Sequence, residues 1–281
     1  MSLGGVIFPV LYLFLPPMLV AESINKGIVK IIGVFSLCCA IVGLVVSPVF
    51  GALIFSVFGP MILIFHYMIL KKSSINLTIF VCAGVFFLSV IVSLYSFGVT
   101  AQSLNSSESI KVFIEAQKNV LELSDIDISR SELTIMYNRM LQLLPGTLVI
   151  ISLVISYVTY VITGRTLLKK GAYILQPSSF IFFRIPKGVF EAMLIVGVLI
   201  YGVQALTDYR LNILIDNVLM VFEALFTFVG VAVFLFFLNR AMRGKMLKLI
   251  ILLFMFMVPG ASTVFLFAGI LDSLFNFRKL P

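Results

Sequence analysis

The sequence predicts an all-α polytopic membrane protein, a bundle of about eight transmembrane helices, and three observations carry that prediction. Hydrophobic residues make up 61% of the 281 positions and charged residues only 11%, whereas a soluble domain carries about 25% charged residues to cover its surface. Mean hydropathy is +1.19, and the apolar residues fall in long continuous runs, not in the alternation of a membrane β-barrel. The Lys and Arg residues collect in short loops between those runs, as topology control requires.

Taking about 20 apolar residues per crossing, the spans fall near residues 4–21, 28–47, 49–70, 75–100, 143–164, 188–207, 211–238 and 246–271. The first, Val6 to Val20, lacks a basic leader and ends in Pro16-Pro17, so it reads as a retained span and not a signal peptide. Spans two and three meet at Ser47-Pro48, where Pro48 and Gly51 favour a tight hairpin. The loops after spans one, three, five and seven hold 13 of the 20 basic residues. The expected location is therefore the cell inner (cytoplasmic) membrane, multi-pass, with those loops cytoplasmic and both termini extracytoplasmic.

Residues 1–281 read as a single integral membrane domain carrying one extracytoplasmic helical insertion, residues 101–142. Within it, Asn105 and Glu108 suit a helix start, with Ile110, Phe113, Ile114, Val120 and Leu121 on one face. Ser129 and Glu132 form a second capping box, followed by Leu133, Met136, Met140 and Leu144. Two amphipathic helices across the outer mouth of the bundle are expected, as a solvated lid or as a gate.

The chemistry that is missing narrows the function. No HExxH, GxSxG, P-loop or GxGxxG occurs, the sole histidine is His66, and no paired carboxylates lie in a soluble segment, so no enzyme is expected. Cys38, Cys39 and Cys82 sit inside apolar runs without metal-ligand spacing, and neither metal nor cofactor is expected. The net charge of +8 lies in interhelical loops, which argues against a nucleic-acid partner. His66, just before Lys71 and Lys72, reads as an interfacial hydrogen-bonding residue.

The polar residues inside the spans are the candidates for function. Asn212, Asp216, Glu223, Thr227 and Gly230 recur at spacings of four, seven, four and three, one stripe of a helix. Such a stripe is expected to face neighbouring helices or a cavity. Pro259-Gly260, followed by Ser262 and Thr263, and Gly59-Pro60 fall at a comparable depth, and both prolines are expected to bend their helices. A substrate site of Glu223, Thr227, Ser262, Thr263, Asp216 and Asn217, framed by the helix breaks at Pro60, Pro259 and Gly260, follows. The alternative is a protonated Glu223 that only ties two helices together. Phe180, Phe183, Arg184 and Lys187 interleave aromatic and basic groups at the cytoplasmic boundary, where they anchor on anionic headgroups or dock a partner. Asp272 and Arg278, near the outer end of the last span, pair with each other or cap the helix.

Three stretches together resemble the YybS-like family of multispanning bacterial membrane proteins. They are QPSSFIFFRIPKG at 176–188, the seventh span with Asn217 and Gly230, and GILDSLFNFRKLP at 269–281; FGPMILIFHYMILKK at 58–72 adds to them. The resemblance implies Gly269, Asp272, Phe277 and Arg278 as family positions. Overall hydropathy is similar to that of the substrate-binding membrane subunits of energy-coupling-factor vitamin transporters, which implies a ligand pocket and separate membrane partners. Two functions are thus expected: binding or transport of a small-molecule ligand within the bundle, or a non-transporting scaffold that recruits a membrane-protein partner. The lipid bilayer is a partner in either.

Overall fold

The computed structural model describes residues 14–121, 129–172, 179–185, 187–206, 211–242 and 244–280. Its described elements are all helical: α1 (Leu15–Lys26), α2 (Ile28–Val45), α3 (Pro48–Leu70), α4 (Ile75–Ser96), α5 (Ala101–Leu104), α6 (Ser107–Leu121), α7 (Arg130–Lys169), a 3₁₀ turn (Phe180–Phe182), α8 (Lys187–Leu206), α9 (Asn212–Ala241), α10 (Lys245–Met257) and α11 (Ala261–Phe275). Among the described residues, α2, α3, α4, α7 and α9 are each long and apolar enough to cross a membrane. The α10–α11 pair makes a sixth span if taken as one, and α8 contains a shorter apolar helix, Phe190–Gln204. Residues 4–13 of the expected first span lie outside the described residues. In the described part, Pro16-Pro17 lie in the first turn of α1, where proline lacks only the amide that a helix's first turn leaves unpaired anyway.

The chain divides into two compact units, residues 1–144 with 148–177, and residues 145–147 with 178–281. In the first unit, α2 and α3 form the expected hairpin, with only Val46 and Ser47 between them. Pro48 starts α3, and Gly51 lies so close to α2 that an added Cβ would stand 2.4 Å from the Cys39 carbonyl oxygen. Gly27, at φ +87°, turns the chain between α1 and α2 in a conformation that other residues avoid. Val20, Phe35, Ile54, Met61, Phe65 and Phe86 pack into one core with Cys39, Cys82 and Tyr160.

The basic ends of α1, α3 and α7 gather at one end of this unit. The Ser23 hydroxyl donates to the Val20 carbonyl at 2.7 Å and meets His66 Nδ1 at 2.9 Å. Glu22 pairs with Lys170 and, at 3.0 Å, with Lys26. These contacts agree with loops after spans one, three and five sharing one side. The Lys170 and Lys26 ammonium groups hold the Glu22 carboxyl below the ordinary carboxylate range.

The insertion differs from its expected form. The helix start near Asn105 and Glu108 is present, with Glu108 in the first turn of α6 and the Ser106 hydroxyl accepting from the Ser109 amide; the side chains of Val120 and Leu121 lie outside the described residues. The capping box is present: Ser129 Oγ accepts from the Glu132 amide, and the Glu132 carboxylate accepts from the Ser129 amide at 2.9 Å. No break separates this helix from the fifth span, however. They form one 40-residue helix, α7, with Pro145 inside it. Tyr137 holds the insertion in place, donating to the Leu104 carbonyl at 2.6 Å and stacking obliquely on Phe113.

Two predictions follow from the first unit. Gly51→Ala should destabilise it by about 1–3 kcal/mol through overpacking, read as a lower thermal midpoint in detergent. A carboxyl with a depressed folded-state pKa contributes stability above its unfolded value and loses it as pH falls through the folded value. Acidification below the ordinary carboxylate pKa of about 4 should therefore raise amide exchange at the α1 end, and Glu22→Gln should remove that pH dependence.

Candidate functional site

In the second unit, two glycines set how helices approach. An added Cβ on Gly230 of α9 would fall 1.7 Å from the Phe265 carbonyl oxygen of α11, and one on Gly269 would fall 1.9 Å from the Phe226 carbonyl oxygen. Only glycine lets two backbones meet so closely, the small-residue mode of helix association in membranes. The pairs 230–265 and 226–269 make α9 and α11 antiparallel and fix their register. Val231, Ala261 and Phe265 form one buried cluster, and Phe226, Val229, Val233, Met193 and Ile185 another.

The register separates residues that were expected to converge. Asp272, not Ser262 or Thr263, lies level with Glu223. Ser262 lies level with Val233, ten residues and about 15 Å along the helix from Glu223. Glu223, Ser262 and Thr263 are all exposed, and Asp216 and Thr227 are half-buried. The expectation of a sheltered Glu223 is thus corrected. The arc of α9 that packs inward runs through Phe226, Val229, Gly230 and Val233, and Glu223 stands about 60° to one side of Phe226, at ~100° per residue. Glu223 makes no hydrogen bond or ion pair among the described residues.

Asn217 points another way. Its Oδ1 accepts from the Gly146 amide at 2.6 Å, and its Nδ2 donates to the Ile213 carbonyl at 2.7 Å. Pro145 crowds the carbonyl one turn back and disturbs the local ladder; Asn217 supplies the next amide with an acceptor. Its role here is to support the backbone of α7.

The two expected helix breaks behave differently. α3 runs through Pro60 unbroken. The residue before it is Gly59, which has no Cβ to clash with the proline ring. Before Pro259 stands Val258, which takes an extended conformation (φ −77°, ψ 123°) and ends α10, and Gly260 follows at φ +83°. Between α10 and α11 the chain turns by 111°. The eighth expected span is therefore broken into two helices. Pro60 belongs to the first unit and Glu223 to the second.

The most elaborate polar cluster surrounds Arg278. Its guanidinium and the Asp272 carboxylate are almost fully buried, 0% and 3% exposed. Nε and Nη2 donate to Asp272 Oδ2 at 3.0 and 2.7 Å, and the Arg278 amide donates to Oδ1 at 3.2 Å. Nη1 donates to the Ile181 carbonyl at 2.7 Å, and Nη2 to the Phe183 carbonyl at 2.8 Å. Asn276, at φ +47°, reverses the chain after α11 so that Arg278 can reach back. Arg184 Nη1 donates to the Leu280 carbonyl at 3.1 Å.

These contacts correct the topology. Residues 180–187 and 272–278 were expected on opposite faces of the membrane, but hydrogen bonds join them. The break at Pro259-Gly260 is the reason, since α11 returns toward the level of the 180–185 segment. Phe180 and Phe183, stacked 5.8 Å apart, pack against the α9–α11 clusters instead of standing free at a boundary. Arg184 and Phe277 are exposed, and the Lys187 side chain lies outside the described residues.

Sequence reasoning passed over one feature of the first unit. Ser152, Ser156, Thr159 and Thr163 of α7 are all at least 98% buried. Their spacing of four, three and four is a helical signal that could have found them. Ser152 donates to the Leu148 carbonyl at 2.6 Å and Thr163 to the Pro17 carbonyl at 3.3 Å.

A family model described as "Predicted membrane protein (DUF2232)" matches residues 2–273. No curated protein and no solved structure matches the chain.

Removing one partner of a buried ion pair leaves the other uncompensated, at a cost of about 3–5 kcal/mol. Arg278→Met should lower stability by that order. Asp272→Asn combined with Arg278→Met should recover part of the loss, as read by thermal unfolding in detergent.

Proposed function

The chain belongs to the DUF2232 family of predicted membrane proteins, and we propose that it is a docking subunit that binds a partner membrane protein through the exposed flank of α9. One observation carries this reading: Glu223 is exposed well inside a helix long enough to cross the bilayer. If α9 is centred on a hydrocarbon core of ~30 Å, its ~45 Å length places Glu223 roughly 9 Å below the nearer hydrocarbon surface. An ionised group near the bilayer centre costs about 2.5–3.5 kcal/mol on insertion scales. A partner helix presenting a cation or a hydrogen-bond donor to Glu223 relieves that cost.

The half-buried Asp216 and Thr227, on the same stripe, extend the flank along one face. The reading is of a binding protein in the inner membrane, not of a catalyst. Within that family we propose a YybS-like assignment, which rests on the resemblance at residues 176–188, Asn217, Gly230 and 269–281.

The test is photocrosslinking in native membranes from a probe placed at Thr227. An adduct should form with the wild-type chain and weaken about 3- to 30-fold with Glu223→Leu, the range of an interhelical polar contact of ~0.6–2 kcal/mol. The thermal midpoint of the variant should be unchanged. An adduct insensitive to Glu223 would overturn docking through this residue. Stabilisation by a metabolite that requires Glu223 would replace the reading with small-molecule binding.

A further inference from the structure

The sequence runs without an acidic residue from Glu223 to Asp272, and four cations stand within nine positions of that stretch: Arg240, Arg243, Lys245 and Lys248. Of these, Arg240 and Lys248 stand at the described ends of α9 and α10: Lys248 bonds the Asn239 side chain, and Arg240 is exposed. Two of the four lie in the first turn of α10, where the positive end of the helix dipole opposes them. Gly244 offers that end no side-chain cap. The sequence thus sets four cations and no acidic residue at the end of a membrane helix.

α10 itself has two faces. Leu252 and Met255 pack inward on the Val231–Ala261–Phe265 cluster. On the outer face Met246, Ile250, Phe254 and Met257, spaced by four, four and three, are 76%, 60%, 70% and 80% exposed. The 111° turn before α11 takes α10 off the line of the α9–α11 pair. By the glycine register, Ala261 lies level with Phe234, seven residues from the end of α9. The bend thus falls about 10 Å inside that end, near the edge of a ~30 Å hydrocarbon core.

We propose that the corner between α9 and α10, together with α10, forms a docking surface for an anionic phospholipid leaflet. Arg240 and Lys248 engage the headgroup phosphates, and the Met246–Ile250–Phe254–Met257 stripe lies along the acyl chains of the same leaflet. A basic cluster directly after a membrane helix, joined to an exposed apolar helix face, is the charge and surface pattern of such a leaflet. The surface is independent of Glu223 and holds whether or not the chain docks a protein there.

The test uses the full chain. Purified protein is equilibrated with mixed phosphatidylglycerol and phosphatidylcholine, and retained lipid is counted by native mass spectrometry. Phosphatidylglycerol should be enriched, and the enrichment should fall on the order of tenfold in R240Q/K248Q. The control K71Q/K72Q, a basic pair in the first unit, should keep it. The charge-preserving R240K/K248R, which guards against loss through misfolding, should keep it too. Spin labels placed singly at 246, 250, 254 and 257 in a cysteine-free chain should report similar depths within one leaflet. Enrichment unchanged in R240Q/K248Q, or lost equally in K71Q/K72Q, would overturn the proposal. So would label depth that increases steadily along α10 through the midplane.

Discussion

The second unit depends on one side chain, Arg278, and on the constraint it answers. Backbone that leaves helical geometry at membrane depth must find its hydrogen bonds within the protein, because hydrocarbon offers none. The segment from Ser179 to Ile185 is mostly non-helical and packs against α9. Two of its carbonyls, at Ile181 and Phe183, end on the Arg278 guanidinium. Asp272 balances the charge that this requires. The pair is a neutral, hydrogen-bonded unit that lets an irregular segment lie against a membrane helix.

Everything that places Arg278 follows from backbone chemistry nearby. Gly230 and Gly269 let α9 and α11 touch, which sets the register that brings Asp272 to the level of the segment. Asn276 then reverses the chain and returns Arg278 to Asp272. Three prolines show how context decides what a helix does. Gly59 removes the steric clash before Pro60, Asn217 supplies an acceptor beside Pro145, and Val258 does neither for Pro259, so the helix ends.

The functional reading turns on which way α9 faces. A carboxylate enclosed between helices is a ligand or proton site, whereas one on an outward flank needs a partner from outside the unit. Glu223 is exposed on such a flank, and the proposed docking rests on that exposure. The same rotation of α9 buries Phe226 and Val229 and turns Asn217 toward Gly146. Two residues expected in one substrate site therefore take up unlike tasks: backbone support for Asn217, exposure for Glu223.

The sequence by itself determined the class, the hairpin at Ser47-Pro48, the Ser129–Glu132 cap, and the pairing of Asp272 with Arg278 as one of two alternatives. Each rests on composition, a local dipeptide, or residues a few positions apart, where chain geometry leaves little choice. Tertiary structure alone decided that α7 runs on through Pro145, that the last apolar run is two helices, and that Glu223 lies outside the packed arc. It also decided that Arg278 reaches residues nearly a hundred positions away. The physical reason is that periodicity shows which residues share a face, but not which neighbour that face meets. In this chain the neighbour was chosen by close backbone approach at two glycines, a contact that leaves no periodic trace in the sequence.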